Sequence, residues 1–269
     1  MIPTPKQIKE AVEKDSDFAH EMRVGQILNK CIEDFKTNPY GEIRIMPLAH
    51  GGTYTDHITG KPRQYDYRFT VARGSERLHW ALECKNTDSA YPLVVCGRPR
   101  TSEESFHEFI ESEGYRKVVR VDDSYTLYPF DEFVGKSLVR VTLKKGVFST
   151  EGDSEIYDRW SQAIASCHDI FGKLFNPTPA KKLSDSVMPI VVVPNGSLWT
   201  ANYSNDGQLE KEPELVNECC FYLGHEIPIQ GLNPLTITHI HFATTDGLKN
   251  MLSLYLGSRS HKWRNVFGK

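Results

Sequence analysis

Residues 64–85, QYDYRFTVARGSERLHWALECK, hold two alternating runs on either side of a Gly-Ser turn, and how they pair decides the fold. Alternation of apolar and polar residues marks half-buried strands, and ARGSE between them is a hairpin signal with Gly74 and Ser75 at its tip. With those two residues central, paired positions sum to 149, and any longer loop symmetric about the same tip keeps that sum. One face then carries Tyr65, Tyr67, Phe69 and Val71 against Cys84, Leu82, Trp80 and Leu78. The other carries Gln64, Asp66, Arg68 and Thr70 against Lys85, Glu83, Ala81 and His79. A slip of one residue would scramble this apolar/polar split, so the split itself supports the register.

The register sets Asp66 directly opposite Glu83. Like charges facing each other in a ladder cost up to roughly 1 kcal/mol, so the pair needs a cation. Lys85, on the same face, supplies one charge; a divalent metal would supply two. Magnesium takes one or two carboxylates together with water and phosphate oxygens, and this pair offers that.

At these residues the chain resembles the PD-(D/E)XK nuclease superfamily, whose motif is an acid on one strand and acid-x-Lys on the next. Here the motif reads Asp66, then Glu83-Cys84-Lys85. The resemblance implies that Asp66, Glu83 and the backbone carbonyl of Cys84 bind Mg, with Mn as substitute, and that Lys85 orients or activates the attacking water. It also implies a glutamate on the helix before the sheet. DFAHEMRVGQIL, residues 17–28, matches that helix and Glu21 that acid, on a stripe with Gly25, Leu28 and Ile32. The motif proline is replaced by Tyr65, and the resemblance spans Asp17 to Asn86. Asp34-Phe35-Lys36 also fits acid-x-Lys but falls within a predicted helix.

Around this motif the chain fits an α/β, restriction-endonuclease-like αβββαβ core: a mixed central sheet flanked by helices, with an inserted β-rich segment. The helical spacing of Phe18, Met22, Leu28, Cys31, Ile32 and Phe35 predicts a helix over 17–36, which NPYG ends. EIRIMPLA, 42–49, is a predicted strand, followed by the loop HGGTYTDHITGKP. YPLVVCGRPR extends or follows the hairpin, and TSEESFHEFIES, opening on a T-x-x-E capping box, predicts a short helix. RKVVRV, YTLYPF and SLVRVTLKK are predicted strands. DSEIYDRWSQAIASCHDIFGKLF is the second core helix, with Ile156, Trp160, Ile164, Cys167, Phe171 and Leu174 on one face. NPTPAKKLSDS is a loop, and MPIVVVPNGSLWTANYS predicts a second hairpin turning at Asn195-Gly196, its first strand being the core's fourth. The expected layout is a single nuclease-like domain over 1–269: core 17–96 and 153–204, insertion 97–150, C-terminal extension 205–269.

The net charge of −3 supplies no global field for polyanions, so any nucleic-acid contact is local. Candidate contacts are Arg68 on the polar hairpin face, Arg98 and Arg100 ahead of a predicted helix start, and Lys262 and Arg264 in the basic tail GSRSHKWRNVFGK. That tail also holds Arg259 and Lys269, with Trp263 and Phe267 either stacking on a base or packing on the core. Six cysteines without a CxxC pair, and an N-terminal stretch without an apolar run, predict a reduced cytoplasmic protein. No stretch approaches the roughly 18 apolar residues of a membrane span. His239 and His241 are read as structural histidines, Cys219 and Cys220 as buried thiols, and Cys167 and His168 point to different helix faces.

The expected function is metal-dependent phosphodiester hydrolysis, of DNA before RNA, in restriction, repair or defence against mobile elements. The alternatives are a catalytically silent nucleic-acid-binding or assembly subunit on the same fold, or an RNA nuclease. A homodimer or a partner subunit in a defence complex is compatible with either.

Overall fold

A computed structural model describes all residues except 1, 16, 37–42, 58, 114–116, 153, 175–181, 230–231, 258–260 and 269. The NPYG helix stop at 38–41, Arg259 and Lys269 lie outside the described residues. The chain begins with α1 (Pro5–Asp15) and α2 (Asp17–Lys36), then β1 (Ile43–Ile45), β2 (Ala49–His50), β3 (Thr53–Thr55) and β4 (Pro62–Gln64). The hairpin strands are β5 (Tyr67–Arg73) and β6 (Glu76–Cys84). Next come β7 (Leu93–Pro99), β8 (His107–Glu113), β9 (Lys117–Ser124), β10 (Phe133–Lys144), β11 (Val147–Glu151) and α3 (Ser154–Leu174). The chain closes with β12 (Leu183–Val193), β13 (Leu198–Asn202), β14 (Glu214–Leu215), β15 (Glu218–Ile227), β16 (Leu235–Thr244), α4 (Thr245–Leu256) and α5 (His261–Val266).

A large mixed sheet runs β1-β5-β6-β12-β16-β15-β10-β7-β13-β14, with β2, β8, β9 and β11 paired off this path. The β5–β6 register is the expected one, from Tyr67↔Leu82 to Arg73↔Glu76, and Gly74 turns the chain at a φ of 59°. β12 lies parallel to β6, pairing Val191 with Glu83, and parallel to β16. Helices cover both faces. On one side Val24 and Leu28 of α2, Leu252 and Leu256 of α4 and Trp263 of α5 pack on Tyr67, Phe69, Trp80 and Leu82. On the other, Ile164, Cys167 and Phe171 of α3 pack on Ala81, Val187 and Ile237. Gly25 sets how closely α2 approaches β5, since a Cβ there would fall 2.3 Å from the Tyr67 hydroxyl. That hydroxyl donates to the Glu21 carbonyl at 3.0 Å and fixes the helix along the strand. Among the described residues no helix is long and apolar enough to cross a membrane.

Several sequence expectations change. TSEESFHEFIES is not a helix: after one 3₁₀ turn, Ser102–Glu104, it becomes β8. The Glu104 carboxylate does reach back to the Thr101 N–H at 3.1 Å, but Arg98 also donates to it, at 3.1 Å, and Lys136 pairs with it. The chain is therefore tied to β7 and β10 and continues as a strand between β9 and β12. YTLYPF forms no strand, because Leu127 and Tyr128 turn inward as a buried bend. The predicted hairpin at Asn195-Gly196 is a crossover: β12 pairs with β6 and β16, whereas β13 pairs with β7 and β14. Gly196 takes a φ of 80°, as a tight turn would, but the Asn195 amide oxygen accepts from the Thr245 hydroxyl and the Asp246 N–H. Local turn chemistry reads correctly there, and the strand partners are chosen elsewhere. β7 does not extend the β5–β6 ribbon either; it pairs with β10 and β13 across the sheet. The loop HGGTYTDHITGKP holds β3 and ends on the first residue of β4, with which β3 pairs.

Candidate functional site

The polar face of the β5–β6 ribbon is roofed by α3, which turns an exposed-looking row of charges into a buried one. Glu83, on β6, is 0% exposed, and neither carboxylate oxygen has a hydrogen-bond partner. Burial first, then the charge of Asp66, pushes its carboxyl well above the usual range, and the Arg159 and Arg68 guanidiniums and the nearby Asp66 main-chain N–H offset this only in part. Asp66, just before β5, points its Oδ2 at the Cys84 N–H, 2.6 Å away. Burial raises the Asp66 carboxyl to about 6 in spite of that bond, and Glu21 adds to the rise. The two acids sit at the end of the ribbon where Tyr67↔Leu82 closes the ladder.

The other sequence candidates are distributed around this pair. Lys85 stands 3.4 Å from the Asp17 carboxylate at the start of α2, and its main-chain N–H bonds to Val192 of β12. Glu21, one turn along α2, pairs with His50 of β2 at 2.6 Å. The thiol of Cys84 lies in the apolar core, so any part this residue plays at the acid pair falls to its carbonyl.

Two residues not singled out from the sequence complete the arrangement. Arg159, from α3, reaches Asp17 at 3.3 Å and Glu83 at 4.0 Å. Asp17 also accepts from the Asn86 N–H at 2.9 Å. Burial pulls Asp17 upward, but that N–H together with Lys85 and Arg159 holds its carboxyl below the usual range. Asp17 therefore stays ionised and gathers both cations beside the Asp66–Glu83 pair. The sequence signal for Asp17 was its place at the start of a helix predicted to bear the motif glutamate. For Arg159 no local signal existed, because its role depends on where α3 crosses the sheet.

The candidate nucleic-acid contacts fare differently. Arg68 is buried beneath α3: it donates to Ser166 at 2.7 Å and to Asp169 at 2.5 Å, and its guanidinium stacks 4.0 Å over Tyr65. Arg100 is buried too and donates to the Pro129 carbonyl. Neither offers its charge to a surface duplex, because each lies under residues the sequence does not bring near it. Arg98 is half-buried and pairs with Glu104. Lys262 is half-buried and Arg264 exposed. Trp263 and Phe267 pack in the core, with the indole N–H donating to Glu76, so they cannot stack on a base.

Among the described residues no group of three or more His, Cys, Asp and Glu side chains forms a ready metal cage. The acid pair nevertheless fits a hard divalent cation. Glu83 presents two fully buried carboxylate oxygens without a hydrogen-bond partner, and the Asp66 carboxylate is close enough for its charge to act on Glu83. Magnesium needs one or two carboxylates from the protein and completes its shell with water and substrate. Comparison with protein-family models, with curated proteins and with solved structures gives no match, so the chemistry of the site has to be argued from these residues.

Proposed function

We propose that the protein is a metal-dependent nuclease of the restriction-endonuclease-like kind, hydrolysing phosphodiester bonds in DNA. The observation that carries this reading is Glu83: a fully buried carboxyl whose two oxygens lack a hydrogen-bond partner, with the Arg159 guanidinium 4.0 Å away and a second buried acid next to it. A buried carboxyl whose oxygens accept no hydrogen bond is costly to ionise, and a folded chain keeps one where a ligand is to meet it. The order α2, β1, β5, β6, α3, β12, with β1-β5-β6-β12 adjacent in the sheet, supports an αβββαβ core with residues 97–150 as the insertion ahead of α3.

Asp66 and Glu83 would hold Mg or Mn, with the Cys84 carbonyl beside them and Glu21 in reach of the field at Asp66. When bound, the ion supplies Lewis acidity toward a water and toward the scissile phosphate. Lys85 and Arg159 carry the positive charge that a phosphodiester and its developing negative charge require. Asp17 holds both in the substrate-free protein, and a phosphate arriving at the acid pair competes with Asp17 for them. Protons on Asp66 and Glu83 must leave before a cation binds, so affinity for the metal and cleavage both rise with pH through about 6 and above.

The test is incubation of plasmid, linear duplex, single-stranded DNA and RNA with the protein, in magnesium, in manganese and in EDTA. Metal-dependent scission of DNA, lost in Glu83→Gln, is the expected result. Cleavage of RNA alone would reassign the substrate, and equal rates in EDTA and magnesium would end the scheme.

A further inference from the structure

On the other face of the sheet from Glu83, a cavity of about 340 Å³ opens where β10, β13, β15 and β16 meet α4 and α5. Pockets that take small ligands start at roughly this size. Its wall includes Arg100, which is only 2% exposed. That guanidinium donates to the Pro129 carbonyl at 2.6 Å, leaves Nε without a partner, and has its carboxylate neighbour, Glu132, 4.0 Å away on an exposed side chain. An arginine does not shed its proton to escape burial, so it requires an anion.

The floor supplies none. Tyr128 lies 5.5 Å beneath the guanidinium and its hydroxyl meets His241 Nε2 at 2.9 Å, while Cys220 Sγ sits 3.5 Å from His241 Nδ1. Burial drives His241 down to about 3 and Cys220 up to about 12, so this chain of side chains is neutral at physiological pH. Lys262 contributes a second positive field at the same two groups, against the negative fields of Glu218 and Glu132 at Cys220. The mouth differs, since Glu132, Glu214 and Glu218 line it and oppose a polyanion such as a nucleic-acid backbone, with charge along its whole length, more than a ligand whose single anionic group passes inward to Arg100. Met251, Leu254 and Tyr255 of α4 give the remainder an apolar wall.

We infer that this cavity binds a small organic molecule bearing one compact anionic group, carboxylate or phosphate ester, on an apolar or aromatic body, with Arg100 and Lys262 gripping the anion. The site is separate from the carboxylate pair, so it stands whether or not the protein is a nuclease.

The probes are benzoate, phenyl phosphate, inorganic phosphate and, as the cationic control, benzylamine, titrated by calorimetry and thermal shift. The two aromatic anions are expected to bind saturably and raise the melting temperature, benzylamine to do neither, and inorganic phosphate to bind more weakly than phenyl phosphate. Arg100→Gln should weaken phenyl phosphate about tenfold or more, as loss of a charged hydrogen bond does, and Lys262→Ala severalfold. Should Arg100→Gln fail to fold, Lys262→Ala and Leu254→Trp, which fills the cavity from its more exposed wall, carry the test. Glu83→Gln should bind like the unaltered protein. Absence of saturable binding by either aromatic anion, or binding that survives Lys262→Ala and Leu254→Trp unchanged, overturns the assignment.

Discussion

Two buried acids beside strand β6, Asp185 of the neighbouring β12 and Glu83 of β6 itself, have opposite fates. Near the turn, Asp185 of β12 receives both Arg77 nitrogens at 2.6 Å and His79 Nε2 at 2.7 Å, and His79 Nδ1 meets the Thr70 hydroxyl at 2.8 Å. Burial opposes its ionisation, yet the bonds from His79 and Arg77 bring its carboxyl below the usual range. At the open end, Glu83 is buried as deeply, receives no hydrogen bond and is pushed well above that range. The first acid is complete within the fold and serves structure. The second has only the Arg159 guanidinium, 4.0 Å away, and on the proposed reading a cation completes it.

Removing the key acid from each end should break different properties. Glu83→Gln is expected to reduce metal-dependent cleavage to background, and Lys85→Ala by about a hundredfold or more, with native circular dichroism in both. Asp185→Ala should leave the acid pair in place but cost roughly 3 kcal/mol in urea unfolding, because the buried His79 and the half-buried Arg77 lose their anion. If Glu83→Gln destabilised the metal-free protein as strongly as Asp185→Ala, the contrast would collapse.

The contrast also has a pH signature. A carboxyl whose folded pKa is raised stabilises the fold below its unfolded pKa, near 4, and that contribution is lost as pH rises through the folded value. Asp66 therefore makes metal-free protein progressively less stable between about pH 4 and 6. His107 and His168, each held down to about 4 by burial, act in the reverse sense, losing stability as pH falls below the unfolded histidine value. Comparing Asp66→Asn with the unaltered protein cancels the histidines. The variant should gain about 2 kcal/mol in relative stability between pH 4 and pH 7. A difference that does not change with pH would show that the Asp66 carboxyl is not raised.

Much of this was legible in the chain. Strand alternation and a two-residue tip gave the β5–β6 register, and with it the meeting of Asp66 and Glu83, because period-two geometry leaves little freedom once the turn is known. The long periodicity of α3 was equally readable. What could not be read was long-range: that β12 chooses β6 and β16 instead of β13, and that α3 roofs the polar face. From the sequence that face reads as presented to a substrate; in the fold Arg68 and Glu83 lie beneath a helix. Arg159 and the satisfied Asp185 network were invisible for the same reason. Their chemistry depends on residues about a hundred positions apart.

A smaller effect sharpens the account of α3. Arg159→Ala should lower cleavage about tenfold, with Arg159→Lys recovering part of it, since a positive charge near Asp17 and Glu83 is restored without the planar fork. Equal rates for all three proteins would remove Arg159 from the site.

The most direct test of the acid pair is calorimetric titration of manganese into metal-free protein at pH 8, set beside Glu83→Gln and Asp185→Asn. Saturable binding is predicted for the unaltered protein and for folded Asp185→Asn, with loss in Glu83→Gln; binding that Glu83→Gln retains in full, or that neither folded protein shows, would contradict the claim that the Glu83 oxygens are kept without a hydrogen bond for a cation.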